Sequence, residues 1–448
     1  MTRKPLNQRL MDLSRVPFVR NVAKFQISSV VMTITGFATS IAFTRMLGLE
    51  QFGVYGVAAG FAGILSIFGS LGQEATLVTF LSEAVGRKSQ EDIKAVLRYF
   101  LQCSLLATAV YLILILIAPS LAVFVGSDKI VGQYAQLLLF SAALNAPVVL
   151  AFLLLQIRGK IGLVSVLENA RAVSQLVLAV ILLVLGYNIW GILFATVLIA
   201  LLYVPLSLLI YAIYRKDMPS LSSVAVTLFH RGTGTYFKQG IWIAASRNIG
   251  QKLYPDLFYV VLGSTASYQT VGLFRLALRL AKLPGDLIMP GITRLSAVTI
   301  PKIVGGDRKA LKSSCIKILK GSFAMSVVAV AGAAICVPPL VPVVYGSEFS
   351  GAIGAFLFML PINLLFAFDT VAMPIARLYK KMLAVIVVTL TGVLIGIGLY
   401  YLLAPLITPL YAISSSIVYY YIHALLLYAY LYWVLLLRNK KGGAVQSV

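Results

Sequence analysis

Residues 110–127 read VYLILILIAPSLAVFVGS, and with their N-terminal neighbours they make residues 99–127 free of any charged side chain. An α-helix needs about 20 predominantly apolar residues to cross the hydrocarbon core, so this stretch spans a bilayer. The rest of the chain agrees. Hydrophobic residues make up 60% of the 448 and charged residues only 11%, against about a quarter charged in a soluble domain. The fold class is all-α, a polytopic membrane protein.

The last nine residues of the stretch return later. PSLAVFVGS at 119–127 aligns without a gap to PLVPVVYGS at 339–347. VGRKSQEDIKAVL from 85 finds VGGDRKALKSSCI from 304, and LGLEQFGVYGVA from 47 is echoed by LGSTASYQTVGLFRLA from 262. Asn145, ahead of Pro147, has a counterpart in Asn363, after Pro361. The offset is close to half the chain, the mark of an internal duplication.

Twelve windows of about 20 apolar residues lie near 22–47, 54–80, 97–121, 131–156, 163–185, 189–213, 237–262, 270–297, 313–337, 351–376, 383–403 and 409–437. Six per half, with both halves starting on the same side, make a parallel repeat of two six-helix bundles. The expected organisation is an N-terminal tail (1–21), an N-lobe (22–214), a linker (215–236), a C-lobe (237–437) and a C-terminal tail (438–448). The first window starts late and no small-residue cleavage site follows it, so it reads as a retained helix and not a signal peptide. The loop at 83–98 reads as an amphipathic connector.

Charge bias orients the chain. Of 37 basic residues, 29 fall on the two tails and alternate connections, whereas the opposite connections carry only Arg45 and Lys129. Cytoplasmic loops retain Lys and Arg, so both termini are expected in the cytoplasm of a cell whose inner membrane holds the protein. This accounts for the formal charge of +23 without invoking nucleic acid.

Six basic residues remain, and five of them (Arg247, Lys252, Arg275, Arg279, Lys282) crowd the seventh and eighth windows. A charge at the bilayer centre costs about 2.5–3.5 kcal/mol even on insertion scales. At about 100° per residue, Arg275, Arg279, Lys282 and Asp286 share one narrow helical face, which should line a cavity. Pro284 and Gly285 should weaken the helix beside it. Local pairing offers a plainer account, since Lys282 and Asp286, or Lys252 and Asp256, are four residues apart. It fails for the whole cluster, because five cations meet only two carboxylates. The surplus calls for an anionic ligand, and arginine's planar fork suits phosphate or pyrophosphate.

Other features carry less. Cys103, Cys315 and Cys336 read as free thiols in helices, His230 and His423 stand alone, and no metal-ligand spacing, P-loop or nucleophile motif appears. No metal, cofactor or catalytic residue is therefore expected. Asp369, Asp286, Asp256 and Glu74 are candidates for proton or sodium coupling, Asp369 foremost because no basic residue lies near it in sequence. Glu168 and Arg171 read as a local ion pair, and Asn145 and Asn363 as interhelical hydrogen-bonding residues. The aromatic run SIVYYYIHALLLYAYLYW at 416–433 reads first as membrane-interface residues and second as a sugar-stacking surface.

The stretch GFATSIAFTRMLGLEQFGVYGVAAGFAGILSIFGSLGQEATLVTFLSEAV at 36–85 resembles the opening of the polysaccharide flippases of the Wzx, or O-antigen translocase, type. Their pattern is an Arg–x–Leu–Gly turn, Phe–Gly–x–Tyr, and a long second helix. VGLFRLALRLAKLP and ITRLSAVTIPKI resemble the family's eighth helix and its exit, with Phe274 where relatives carry Tyr and Arg275 added one turn before Arg279. The resemblance implies the multidrug/oligosaccharidyl-lipid/polysaccharide exporter superfamily, two bundles around a cationic lumen, and no enzymatic activity. It also implies a substrate: an undecaprenyl-pyrophosphate-linked oligosaccharide carried to the outer leaflet by alternating access, with membrane lipids and polysaccharide-assembly proteins as partners. Three other readings compete with this one. An organic-cation or multidrug antiporter would want acidic residues in the cavity. A membrane-embedded glycan polymerase or glycosyltransferase would want a large outer loop or acidic catalytic residues. A scaffold without transport leaves the cation face unexplained.

Overall fold

The computed structural model describes residues 17–70, 73–216, 218–226, 228, 233–234, 236–237, 253–304, 308–378 and 381–436. Every regular element among them is helical. Chain order runs α1 (Pro17–Ser70), α2 (Gln73–Gly86), α3 (Gln90–Phe124), α4 (Lys129–Ala143), α5 (Ala146–Ile157), α6 (Ile161–Val184), α7 (Asn188–Tyr214) and the short α8 (Leu221–Ala225). It continues through α9 (Tyr254–Thr265), α10 (Tyr268–Val304), α11 (Arg308–Val344), α12 (Ala352–Met359), α13 (Ile362–Leu378), α14 (Met382–Leu403) and α15 (Pro409–Leu436). Among the described residues, nine segments are long and apolar enough to cross a membrane. One of these, Ser28–Gly69, takes in most of the first sequence window and the N-terminal part of the second. Of the seventh window only residues 237 and 253–262 are described, and the eighth, α10, is not among the nine.

Local sequence explains the punctuation. Within α1 the helical path breaks at Gly48 (φ 73, ψ 173), a backbone conformation that a side chain would strain. Pro147 sits in the first turn of α5, so the window 131–156 is two helices, α4 and α5, turned at Leu144–Asn145. The 83–98 connector is mostly helical where a loop was expected. Ser89 accepts a hydrogen bond from the Asp92 backbone N–H at 3.2 Å, and Glu91 and Asp92 occupy the first turn of α3. Both features stabilise a helix N-terminus. In the expected linker, Ser220 caps α8 and accepts from the Ser223 backbone N–H.

The duplicated PSLAVFVGS and PLVPVVYGS motifs have one structural outcome. Each ends a long helix on a glycine with positive φ, Gly126 (φ 78) and Gly346 (φ 114). Pro119 and Pro339 both lie inside the helices that precede these glycines.

The chain divides into two compact units. The first holds residues up to Gly48 and from Ala58 to Ala244; the second holds Leu49–Val57 and the chain from Ala245. In the first unit α3 packs along α4, and α6 along α7. Gly132 permits the α3–α4 approach, since a Cβ there would meet the Ala118 carbonyl oxygen at 2.6 Å. Leu77, Leu81, Leu97, Leu154, Tyr211 and Val224 form a core in which α8 is seated.

In the second unit α10 is the central helix, packed by α11, α12, α13 and α15. The segment Leu49–Val57 crosses its N-terminal end at two glycines, one from each copy of the 47–58/262–277 repeat. A Cβ on Gly53 would collide with the Tyr268 carbonyl oxygen, and one on Gly272 would lie 2.5 Å from that of Leu49. Small residues let helix backbones meet this closely in membranes.

Candidate functional site

On α10, the residues Leu276, Ala277, Leu278, Leu280 and Ala281 are buried. Arg279 and Asp286 are exposed, and Arg275 and Lys282 half-buried. The four charged side chains thus occupy the open face of the helix, as their 3.6-residue spacing requires. From Arg275 to Asp286 the stripe runs about 16 Å at 1.5 Å per residue.

Each charge has a distinct setting. The Arg275 guanidinium lies over three rings, 4.5 Å from the Tyr55 centroid, 5.2 Å from Phe52 and 5.9 Å from Tyr259. Its Nη1 is buried without a hydrogen-bond partner among the described residues. This aromatic cage exists because the Phe–Gly–x–Tyr turn of the first repeat, in Leu49–Val57, folds onto the second. Lys282 Nζ sits 5.5 Å from the Tyr254 centroid and 6.0 Å from Tyr421. Cations over aromatic faces gain about 0.5–2 kcal/mol, which offsets part of their burial without neutralising them. The Lys282–Asp286 ion pair that the local-pairing alternative offered is not formed among the described residues.

Tyr420 and Tyr421, from the aromatic run, are 7% and 9% exposed, whereas Trp433 is 49% exposed. Tyr420 stacks on Tyr254 at 3.7 Å between centroids and Tyr421 meets Tyr254 edge-on at 5.3 Å. The run therefore divides by helix face: part builds the wall beside Lys282, and part stays at the periphery.

The helix runs without interruption through Pro284–Gly285, where weakening was expected, and Asn363 on α13 bonds to it there. Its Oδ1 accepts from the Gly285 backbone N–H at 2.9 Å, and its Nδ2 donates to the Ala281 carbonyl at 2.5 Å and the Leu360 carbonyl at 2.8 Å. The amide thus bridges the two groups that a regular helix pairs directly. Lys282 and Asp286 flank this turn, so Asn363 sets how the lower half of the stripe presents.

Of the remaining sequence candidates, Asp256 lies half-buried in the first turn of α9 and Asp369 half-buried on α13. The Glu74 side chain, Arg247 and Lys252 lie outside the described residues. In the first unit, Arg171 Nη1 donates to Asn145 Oδ1 at 3.0 Å, and its guanidinium lies 5.4 Å from the Tyr203 centroid. Both repeat-related asparagines therefore bond to a neighbouring helix. Tyr254, Tyr259, Phe52 and Tyr55 were not singled out from sequence. The Phe–Gly–x–Tyr turn is the signal for Phe52 and Tyr55, whereas Tyr254 and Tyr259 lie outside both the turn and its echo.

A family model described as "Polysaccharide biosynthesis protein" matches residues 42–354. No curated protein matches the chain. Among solved structures, the chain is similar to a multidrug resistance MATE family transporter of the MOP superfamily in its inward-facing conformation. That match has a TM-score of 0.73 and 16% identity, over 92% of this chain and 96% of that one. The outward-facing conformation of a MATE transporter of that superfamily scores 0.63 at 16% identity, over 94% and 95%. The eukaryotic MATE transporter AtDTX14 scores 0.66 at 15% identity, over 92% and 95%. At these identities the likeness shows the fold, and the family model supplies the membership. The chain belongs to the polysaccharide biosynthesis protein family and shares its multi-helical fold with the MATE transporters.

Proposed function

We propose that the protein is a flippase that carries a polyprenyl-pyrophosphate-linked oligosaccharide from the cytoplasmic to the outer leaflet of the inner membrane, with both termini cytoplasmic. The observation that carries this reading is the stripe on α10: three cations and one carboxylate on the open face of a membrane helix, two of the cations backed by aromatic rings. Arg279, exposed between Arg275 and Lys282, is the principal ligand of the pyrophosphate. Lys282 adds charge, and Arg275 is the anchor of the Leu49–Val57 segment as well as a long-range attraction. Arg247 and Lys252 complete the cationic set. The polyprenyl tail stays in lipid while the head group passes by alternating access of the two repeat-related halves. With the cytoplasm negative, outward movement of an anion gains about 2.3 kcal/mol per charge per 100 mV. Asp369, with Asp256, Asp286 and Glu74, is the candidate set for proton or sodium coupling. An ion-coupled multidrug antiporter is the second reading, favoured by likeness to MATE structures and opposed by the cationic stripe.

The test uses purified protein in sealed liposomes and follows transbilayer movement of a polyprenyl-pyrophosphate oligosaccharide. Arg279→Gln is expected to abolish movement while leaving the thermal unfolding midpoint unchanged. Equal movement by native and variant protein refutes the assignment of the stripe.

A further inference from the structure

We propose that a cavity inside the first unit binds neutral sugar residues of the transported head group; this rests on the flippase reading above. The cavity measures about 380 Å³. That is near the lower end of small-molecule sites, about 300–1,000 Å³, and equals about a dozen water volumes of about 30 Å³ each. One wall is a single face of α6, where Glu168, Arg171 and Gln175 recur at helical spacing. Asn145 and Gln156 add two more amides, and Val148, Phe152 and Leu153 supply an apolar floor.

The depth of these groups is informative. Arg171 stands ten residues into α6, about 15 Å along a helix, which places it and Glu168 well inside the membrane. Ionisable residues persist at such depth when they face a cavity in which they serve a function. One carboxylate and one guanidinium leave the cavity without net charge, unlike the cationic face of α10. That balance disfavours an anion or a cation as ligand. Five hydrogen-bonding side chains disfavour an apolar one, since pockets for such ligands hold few polar groups. A hydroxyl group satisfies both kinds of wall at once, donating to Glu168 and accepting from Arg171 or an amide. Two neighbours fix Arg171 in position, since Asn145 takes one of its five N–H donors and Tyr203 backs its plane. Gln175 donates to Thr196 Oγ1 at 3.0 Å, which leaves its carbonyl oxygen to accept. A ring or two of a polyhydroxylated sugar fits this lining in size and in chemistry.

The test places the full chain in lipid nanodiscs and records saturation-transfer NMR with two probes. One is a panel of neutral hexose and N-acetylhexosamine disaccharides, the other inorganic pyrophosphate read by phosphorus line broadening. Ala172→Trp fills the cavity without removing a polar group, and Gln156→Ala trims an exposed one; Glu168→Gln removes the carboxylate charge. Saccharide transfer is expected in native protein, should be lost in Ala172→Trp, which occupies the space, and should fall about tenfold in Glu168→Gln, the effect of one or two lost hydrogen bonds. Gln156→Ala should lower it less, and Arg279→Gln should leave it unchanged. The absence of transfer from every disaccharide, or native transfer in Ala172→Trp, overturns the inference. If lipid movement still depends on Arg279 in that case, the flippase reading stands and only the cavity assignment falls. If instead the saccharide pattern holds but Arg279→Gln binds pyrophosphate and moves lipid normally, the head-group reading falls and the cavity assignment survives.

Discussion

Replacing Asn363 with leucine keeps the size of a buried side chain (Asn363 is 1% exposed) and removes three hydrogen bonds at once. Interhelical bonds in membrane proteins average about 0.6 kcal/mol and reach about 1.7. Three of them total about 2 kcal/mol on average. Gly285 N–H and the Ala281 carbonyl, released from the amide, can pair with each other and return one bond. The net loss is then about 1–3 kcal/mol, and at 1.36 kcal/mol per tenfold this speeds local opening about five- to 150-fold. Hydrogen exchange of the Gly285 amide reads this opening directly, and exchange at Ala118 or Leu154, in the other unit, serves as the unaffected control. Gly285→Ala supplies a second route to the same change, because its Cβ would lie 2.7 Å from Asn363 Oδ1 and 2.5 Å from the Phe366 ring. Both variants should slow lipid movement, because the displaced turn carries Lys282 and Asp286. Their double mutant should cost little more than the worse single, since they break one shared contact. Asn363→Asp should be the most harmful of the three, as it puts carboxylate oxygens against two carbonyls. Unchanged exchange at Gly285 in Asn363→Leu would show that the amide does not carry this turn.

The close crossing of the two repeat glycines predicts a graded response. Gly53→Ala, whose Cβ meets backbone, should destabilise by about 1–3 kcal/mol as overpacking does. Gly56→Ala meets the flexible Arg275 side chain at 3.1 Å and should be nearly neutral; thermal unfolding in nanodiscs ranks the pair. Single cysteines on a background of Cys103→Ser, Cys315→Ser and Cys336→Ser test the orientation. Lys88→Cys should react with an impermeant maleimide only from the cytoplasmic side and Asp128→Cys only from the outer side. The reverse pattern overturns the reading of the charge bias. Arg275→Met should lower the unfolding midpoint by losing contacts with Phe52, Tyr55 and Tyr259, yet reduce pyrophosphate binding less than Arg279→Gln does.

Much of this protein is a one-dimensional property of its sequence. Hydropathy over about 20 residues marks a bilayer span regardless of its neighbours, so the apolar windows emerge as helices wherever the structure describes them. A 3.6-residue period places Arg275, Arg279, Lys282 and Asp286 on one face, and only helical geometry is needed to see it. The duplicated motifs are likewise legible, down to the paired glycines that close α3 and α11. The misread loop at 83–98 shows the limit even there: its charges hid a capped helix start from a hydropathy window.

Tertiary structure decided what each charge does. Nothing near Arg275 in sequence announces that Phe52 and Tyr55, more than 200 residues earlier, supply its aromatic cage. That contact depends on two glycines that let backbones meet. Lys282 and Asp286 have the right spacing for an ion pair, but Tyr254 and Tyr421 occupy the space over the lysine instead. Asn363 could have bonded any neighbour, and packing set its amide against the α10 turn where Gly285 offers a donor and Ala281 an acceptor. Spacing along a helix determines which side chains share a face; the packing of helices distant in sequence determines what that face meets.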